Sequence, residues 1–170
     1  MLKSVFAATA LVATLLSAPA QAQETPPQID GNQIVRAVSM NDMRILTASW
    51  GHTIIEEHGD QDGIIVQTPN GFKYLLLLKA CNEHKSCSGV LLGSIHDMPE
   101  GMTWTLLNQV DMQVDAFGMY VAQDQLIIDR YFILSGGVRV EAFAYEIAAL
   151  MNTAPTLVAR ISEMAAAASG

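Results

Sequence analysis

The sequence predicts an α+β fold, in which a single antiparallel sheet has helices packed on one of its faces. Two observations support this prediction. Short turns rich in glycine, asparagine and aspartate join neighbouring strand segments, which favours antiparallel pairing. The strand segments also occur in clusters between helical segments, where apolar residues recur at helical spacing, as in α+β proteins.

The first 22 residues have the pattern of a secretory signal peptide. Lys3 supplies the positive charge, residues 5–16 are apolar, and Ala20-Gln21-Ala22 is a small-x-small cleavage site. The apolar run is too short to span a membrane. Cleavage leaves 148 of the 170 residues and, through loss of Lys3, changes the net charge from −8 to −9. We therefore expect the protein outside the cytoplasm, where disulfides persist.

The rest of the chain is predicted to form a flexible leader over residues 23–33 and one domain over residues 34–168. A chain of about 150 residues buries roughly two-thirds of its unfolded surface, which is enough for an independent core. The excess of acidic residues argues against binding to nucleic acid, because phosphate contacts require clustered basic side chains. The mature sequence has no 18-residue apolar run, so no membrane insertion is expected after cleavage.

The first half of the domain is predicted to contain one helix and four strands. Ser39 is a candidate N-cap with Asp42 in capping-box position, and Gly51 ends the helix. Asn70-Gly71 favours a tight hairpin turn, because this pair tolerates positive φ. The predicted strands are His52–His58, Ile64–Thr68, Phe72–Cys81 and Gly89–His96.

The second half is predicted to contain helices around two further strands. Residues 103–114 carry apolar side chains on one helical face. Gly136-Gly137 interrupts the chain before a helical stretch, and Pro155, near a helix N1 position, predicts that a separate last helix begins there. The predicted order is therefore α-ββββ-α-ββ-αα. The two additional strands are Phe117–Ala122 and Leu126–Leu134.

The two cysteines, Cys81 and Cys87, lie at facing ends of two predicted strands, and three interpretations are open. A disulfide suits an oxidising compartment and, in the chain-entropy model, stabilises the fold by about 2.4 kcal/mol. A metal site would use the C-x₂-H-x₂-C spacing with His84 and a fourth ligand such as Glu83 or His96. A redox pair is the third interpretation, although such pairs favour C-x-x-C at a helix N-terminus. We favour the disulfide.

No motif in the sequence predicts a reaction. The Gly93-Ser94-Ile95-His96 segment lacks the second glycine of a nucleophile elbow. The acidic turn over residues 56–63 contains Asp-x-Asp-Gly, as calcium loops do, but lacks their downstream glutamate. His84 and His96 provide only a weak alternative as metal ligands. We therefore predict no catalytic residue, no cofactor and no metal.

Exposed apolar side chains provide the candidates for binding to a protein partner. Trp104, Met98 and Met102 lie in a segment interrupted by proline and glycine and are expected to form an apolar patch. Methionine side chains repack easily against different partners, although they also fill cores. Tyr131 and Phe132 in the last strand complete the predicted binding residues.

The order of elements over residues 34–163 resembles the YbjN family of bacterial sensory transduction regulators. The features that carry the resemblance are the acidic turn with Gly63, the Cys81 and Cys87 pair, Asn108, Phe117-Gly118 and Gly136-Gly137-Val138. The sequence departs from the family where Asp111 replaces an asparagine and where Tyr131 and Ile133 replace acidic residues. The resemblance implies a fold like that of type III secretion chaperones and a location in the Gram-negative periplasm.

The predicted function is that of a non-catalytic periplasmic protein, chaperone-like or regulatory, that binds a protein partner or a second copy of itself. Binding is expected through its sheet or through the apolar surface near Trp104, Tyr131 and Phe132. The alternative is a sensor of a small ligand or metal that uses His84, His96 and the acidic turn. The partner-binding prediction rests on the resemblance and on the lack of catalytic motifs, since a fold by itself does not determine function.

Overall fold

The computed structural model describes residues 29–59, 62–114 and 116–169. Its helices are α1 (Met40–Ser49), α2 (Trp104–Asp111) and α3 (Val140–Ser169). Its strands are β1 (Ile34–Val35), β2 (Thr53–His58), β3 (Gly63–Gln67), β4 (Lys73–Cys81), β5 (Cys87–Asp97), β6 (Gly118–Ala122), β7 (Gln125–Ile133) and β8 (Val138–Arg139). The predicted signal peptide and residues 23–28 of the predicted leader lie outside the described residues.

Six strands form one antiparallel sheet in the order β2-β3-β4-β5-β7-β6. Three hairpins connect β2 to β5, and a fourth connects β6 to β7. The strands β5 and β7 pair with each other although α2 and β6 lie between them in the sequence. This long-range pairing joins the β6–β7 hairpin to the other four strands. The α+β prediction is therefore confirmed, and the six predicted strands agree with the observed ones to within two residues at each end.

The helices α1 and α2 begin where the sequence supplies a side chain for their free amide groups. Ser39 Oγ accepts a hydrogen bond from Asp42 N–H, and Asp42 Oδ2 accepts one from Ser39 N–H at 2.7 Å, which completes the predicted capping box. Thr103 Oγ1 does the same for Leu106 N–H at the start of α2. Gly51, with φ of 73°, ends α1 as predicted.

All three helices pack on the same face of the sheet. The even-numbered side chains of β3, β4, β5 and β7 meet the helices in one apolar core. Phe132 of β7 makes an edge-to-face contact with Phe143 of α3, with ring centroids 5.6 Å apart. On the same face, Arg130 pairs with Glu146 of α3 at 2.7 Å, and Arg44 of α1 pairs with Glu57 of β2. The predicted placement of the helices on one face is thus confirmed.

The prediction that a separate helix begins at Pro155 is wrong. The helix α3, which has 30 residues, continues through this residue without a break. Proline removes one hydrogen bond from a helix interior and disfavours the preceding turn. The apolar stripe nevertheless keeps its register across Pro155, and each of its side chains is buried, so packing outweighs the local penalty. The stripe consists of Val140, Phe143, Ile147, Leu150, Ala154, Leu157, Ile161 and Ala165. None of the helices in the described ranges is long and apolar enough to cross a membrane.

The prediction of a single sheet also needs correction, because β1 and β8 form a separate two-stranded sheet. These strands have two residues each, too few to show periodicity in the sequence. The chain before β1 is tied to the start of α3. Gly31 O accepts a hydrogen bond from Glu141 N–H, and Gln33 O accepts one from Val140 N–H. Part of the segment predicted as a leader therefore caps the longest helix.

Cys81 and Cys87 form a disulfide between directly paired residues of β4 and β5. On its other side, Cys87 exchanges two main-chain hydrogen bonds with Val38, the residue before the N-cap of α1. Cys87 thus links β4, β5 and the segment that leads into α1. A disulfide is typical of proteins in oxidising compartments, which agrees with the predicted location outside the cytoplasm.

Candidate functional site

The face of the sheet opposite the helices is apolar and uncovered by any described helix. Successive side chains of a strand point to opposite faces, so Leu92 lies in the core while Leu91 lies on the other surface. We call this second surface the open face. Its large apolar side chains are Ile65, Leu75, Leu77, Leu91, Ile95, Tyr120, Ile127, Tyr131 and Ile133.

The composition of the open face is unusual for an antiparallel sheet. Such a sheet with one face against a core usually presents polar side chains on the other face, where water solvates them. Here Ile95 is 40% exposed, Tyr131 47% and Ile133 67%. Exposed apolar side chains on one face of a sheet are typical of an interaction site.

Glycines make the open face flat. A Cβ atom at Gly63 would collide with Leu77 Cδ2, and one at Gly89 would collide with the Tyr131 side chain. Leu77 and Tyr131 therefore lie across the backbone of the neighbouring strand rather than projecting from the sheet. This arrangement reduces the exposed area of both side chains and leaves a surface of low relief.

An aspartate, Asp129 of β7, interrupts the apolar surface. Its directly paired cross-strand neighbours are Gly93 of β5 and Gly118 of β6, so neither paired residue places a side chain beside the carboxylate. A Cβ at Gly118 would lie 3.3 Å from Asp129 Oδ1. The tyrosines Tyr120 and Tyr131 lie diagonally across and along the strand from it. We call the group formed by Asp129, Gly93 and Gly118 the Asp129 notch.

The notch is electrostatically unfavourable for its own carboxylate. Partial burial raises the pKa of Asp129, and a hydrogen bond from the Tyr120 hydroxyl offsets part of this increase. Burial and the nearby carboxylate together raise the pKa of Tyr120, so the phenol remains the donor of this bond. Asp129 thus carries a partly desolvated negative charge whose only described partner is a neutral hydroxyl.

A shallow pocket of about 210 Å³ lies on the β3–β5 half of the open face. Ile65, Leu75 and Ile95 line it together with Lys73 and Tyr74. The pocket is large enough for one apolar side chain. It lies in the same surface as the Asp129 notch, since Leu75, Gly93 and Asp129 belong to one cross-strand row.

Both edges of the sheet are modified in ways that oppose pairing with another strand. The edge strand β2 has a bulge between Ile54 and Glu56 and presents charged side chains. On the other edge, Asp111 Oδ1 accepts a hydrogen bond from Met119 N–H of β6 at 3.0 Å. The edges are therefore poorly suited to extension of the sheet by another strand.

The structure does not bring the five predicted partner-binding residues onto one surface. Trp104 is 64% exposed at the start of α2, with Met98 exposed and Met102 half-buried against the core. Tyr131 lies on the open face, whereas Phe132 is half-buried against α3 on the opposite face. Only Tyr131 of the five belongs to the open face.

The residues of the alternative metal hypothesis are also separated. His84 lies in the β4–β5 hairpin and pairs with Glu83, whereas His96 lies near the other end of β5 and contacts Ser94 Oγ at 2.9 Å. At about 3.3 Å per residue, the nine residues from Cys87 to His96 already span about 30 Å. No group of three or more candidate metal ligands occurs in the described part of the chain.

The acidic turn is described in part, since Asp60 and Gln61 lie outside the described residues. Asp62 forms an ion pair with Lys85 of the next hairpin at 2.8 Å, and Glu57 forms one with Arg44. These two carboxylates therefore connect elements of the fold.

Sequence reasoning named the sheet as a possible binding surface, but of the open-face residues it identified only Tyr131 and it missed Asp129. The apolar run Leu75–Leu78 predicts a buried strand, and its alternation between two faces is not visible in a continuous run. An aspartate inside the apolar segment Leu126–Leu134, together with glycines inside two other strands, was the available signal. Its meaning depends on the β5–β7 pairing, which the sequence does not reveal.

No protein-family model, curated protein or solved structure matched the chain when it was compared with each of these three sets.

Proposed function

We propose that this protein is a non-catalytic binding module, with a chaperone-like or regulatory role in the periplasm, whose open face docks a protein partner. The observation that carries the proposal is the apolar, uncovered face of the six-stranded sheet. The resemblance of the chain to the YbjN family and its disulfide are consistent with the location. The proposal replaces the predicted patch around Trp104 with the open face as the main binding surface.

The size of the open face favours a protein over a small ligand. Six strands about 4.8 Å apart span about 24 Å, and a nine-residue strand such as β4 is about 30 Å long. The resulting surface of about 700 Å² approaches the roughly 800 Å² that each partner buries in a standard interface. A flat surface of this size offers little enclosure to a small molecule, which usually binds in a concave pocket.

Site-specific photocrosslinking tests the proposal in the native compartment. A photoreactive phenylalanine analogue replaces Tyr131 on the open face or, as a matched control, Tyr145, which is 74% exposed on α3. We expect a discrete adduct from position 131 and none of the same kind from position 145. The adduct is identified, and binding is then measured with the purified partner, which includes the case of a second copy of this chain.

A charge introduced into the apolar surface provides the quantitative test. Ile95→Glu should weaken binding of the purified partner at least tenfold, because docking would bury an unpaired carboxylate. Met112→Glu, at a more exposed apolar residue on the helical side, should have no effect. Equal adducts from positions 131 and 145, or normal binding by a folded Ile95→Glu variant, would contradict the proposal.

A further inference from the structure

We infer that Asp129 is the recognition point for a basic side chain, arginine or lysine, of the protein that docks on the open face. This inference rests on the proposed function and adds the chemistry of the partner to it. The partner should present apolar residues around one basic residue that enters the Asp129 notch.

The cost of desolvation selects the partner. Asp129 lies within the apolar surface that any docking protein must cover, between the row neighbours Gly93 and Gly118. Covering an ionised carboxylate without a compensating group is strongly unfavourable. A partner with a cationic side chain at this point compensates the charge, whereas a purely apolar partner does not. Asp129 therefore weakens the binding of incorrect partners and strengthens that of the correct one.

The surroundings of Asp129 leave room for a long basic side chain. The residues paired directly with Asp129 are glycines, so neither carries a side chain that would keep a cation from the half-buried carboxylate. The rings of Tyr120 and Tyr131 border the notch, and both tyrosines are partly exposed. A guanidinium or ammonium group that pairs with Asp129 can therefore also contact the face of an aromatic ring, which adds to the attraction.

The chain itself does not neutralise this carboxylate. Among the ion pairs formed by the described residues, none includes Asp129. The adjacent Arg130 points to the opposite face and pairs with Glu146. Lys73, on the open face, lies two strands away and one row along, a separation of about 12 Å between Cα atoms for standard sheet spacings. One carboxylate with a phenol is also an insufficient ligand set for a metal ion.

The overall charge of the protein favours the same kind of partner. The chain has 17 acidic and 9 basic residues, for a net charge of −8. Electrostatic complementarity steers encounter and suppresses partners of like charge. A basic segment is therefore attracted before contact, and Asp129 determines where its basic side chain is placed within the apolar surface.

Peptide display on the intact mature protein tests this inference and does not require the partner to be identified first. A library of random 12-residue peptides is selected on the immobilised protein, and the enriched peptides are synthesised for affinity measurements. We expect them to share one arginine or lysine flanked by apolar residues. Asp129→Asn, which keeps the shape of the side chain, should weaken their binding at least tenfold. Asp124→Asn, at an exposed aspartate in the β6–β7 turn, is the matched control and should have no effect.

The Tyr120→Phe variant distinguishes the contribution of the Asp129 charge to peptide binding from that of the hydrogen bond it accepts. This variant retains the carboxylate and removes the hydroxyl that donates to it. Because the carboxylate oxygens are then free for the basic side chain, the peptides should bind at least as well as they bind the wild type. Loss of binding equal to that of Asp129→Asn would overturn the assignment to the charge.

The outcomes distinguish this inference from the proposed function. One result is that the enriched peptides bind Ile95→Glu weakly and yet contain no basic residue, and another is that they bind Asp129→Asn as well as the wild type. Either result overturns the inference and leaves the open face as a binding surface. Enriched peptides that are unaffected by both substitutions, or no enrichment at all, count against the proposed function as well. A dimer of the protein alone that dissociates upon Asp129→Asn would identify a second copy as the occupant and overturn the separate basic partner.

Discussion

The two faces of the sheet differ in what covers their apolar side chains, although their compositions are similar. One face is covered by three helices, and its side chains at Ile64, Leu76 and Leu92 are almost completely buried. The other face has isoleucine, leucine and tyrosine at the alternate positions and no described helix over them. The similarity indicates that strand sequence alone does not determine burial, which depends on the number of helices available to cover the sheet.

Polar pairs show a second difference between the faces. On the covered face, His52 Nδ1 lies 2.8 Å from the hydroxyl of the buried Tyr74. On the open face, Tyr120 donates to Asp129 in the surface that the proposed partner would cover. The first pair satisfies polar groups inside the core, as buried polar groups require. The second leaves a partly buried charge without a cation, which the proposed basic partner would supply.

The largest expected effect comes from truncation of the same residue type on each face. Leu92→Ala on the covered face should reduce the free energy of unfolding by about 3 kcal/mol, because it leaves a cavity in a close-packed core. Leu91→Ala, one residue away on the open face, should cost about 1 kcal/mol, since this side chain is only partly buried. Urea denaturation of both variants measures the difference. Equal losses would show that the open face is packed as a core and would contradict the comparison.

Removal of the disulfide tests how much it contributes to the stability of the central strands β4 and β5, which have helices on one face only. Cys81→Ala with Cys87→Ala should reduce the free energy of unfolding by about 2 kcal/mol, because the unfolded chain regains the freedom of the closed loop. Hydrogen exchange should also accelerate at Val38 N–H, which donates to Cys87 O. Reduction of the wild-type disulfide provides the control and should give the same loss. An unchanged unfolding curve would show that packing alone fixes this end of the sheet.

The elements with local signals were predictable from the sequence, and those determined by long-range packing were not. The capping box at Ser39, the Asn70-Gly71 hairpin and the cysteine pair each depend on residues close in sequence, and the structure has all three. The continuation of α3 through Pro155 depends on side chains along the whole helix that pack on the sheet. Local proline chemistry predicted a break there because it does not include that packing.

The candidate site was less predictable than the fold, for the same reason. Tyr131 is identifiable because an exposed aromatic residue in a strand is typical of a binding surface. Phe132, its neighbour, is predicted on the same surface, although alternation along a strand places adjacent residues on opposite faces. Asp129 becomes significant only when β5, β6 and β7 are placed side by side, since its accessibility depends on Gly93 and Gly118.

The His52–Tyr74 pair on the covered face and the Tyr120–Asp129 pair on the open face should change the stability of the protein with pH in opposite directions. Burial lowers the pKa of His52 in the folded protein, so the unfolded state binds a proton at higher pH than the folded state does. Stability should therefore decrease as the pH falls below about 6.5, the ordinary histidine value, toward the lower folded value. His52→Gln should reduce this dependence, and thermal unfolding between pH 7.5 and 5 measures it. Burial also lowers the pKa of His96, so part of the dependence should remain.

The smallest expected effect comes from Asp129, and its sign is the most informative. Because burial raises the pKa of Asp129, the folded state retains its proton more strongly than the unfolded state, and stability decreases as the pH rises through the interval between the two values. At pH 7, Asp129→Asn should therefore stabilise the isolated protein by about 0.5 kcal/mol, since the carboxylate is partly solvated. The gain should disappear below the unfolded-state pKa of about 3.9, where the carboxyl group is protonated in both states. Asp124→Asn is the control for a simple change in net charge. If Asp129→Asn destabilises the protein at pH 7, the carboxylate serves the fold. A gain in stability with a loss of peptide binding would show that the charge is retained for recognition.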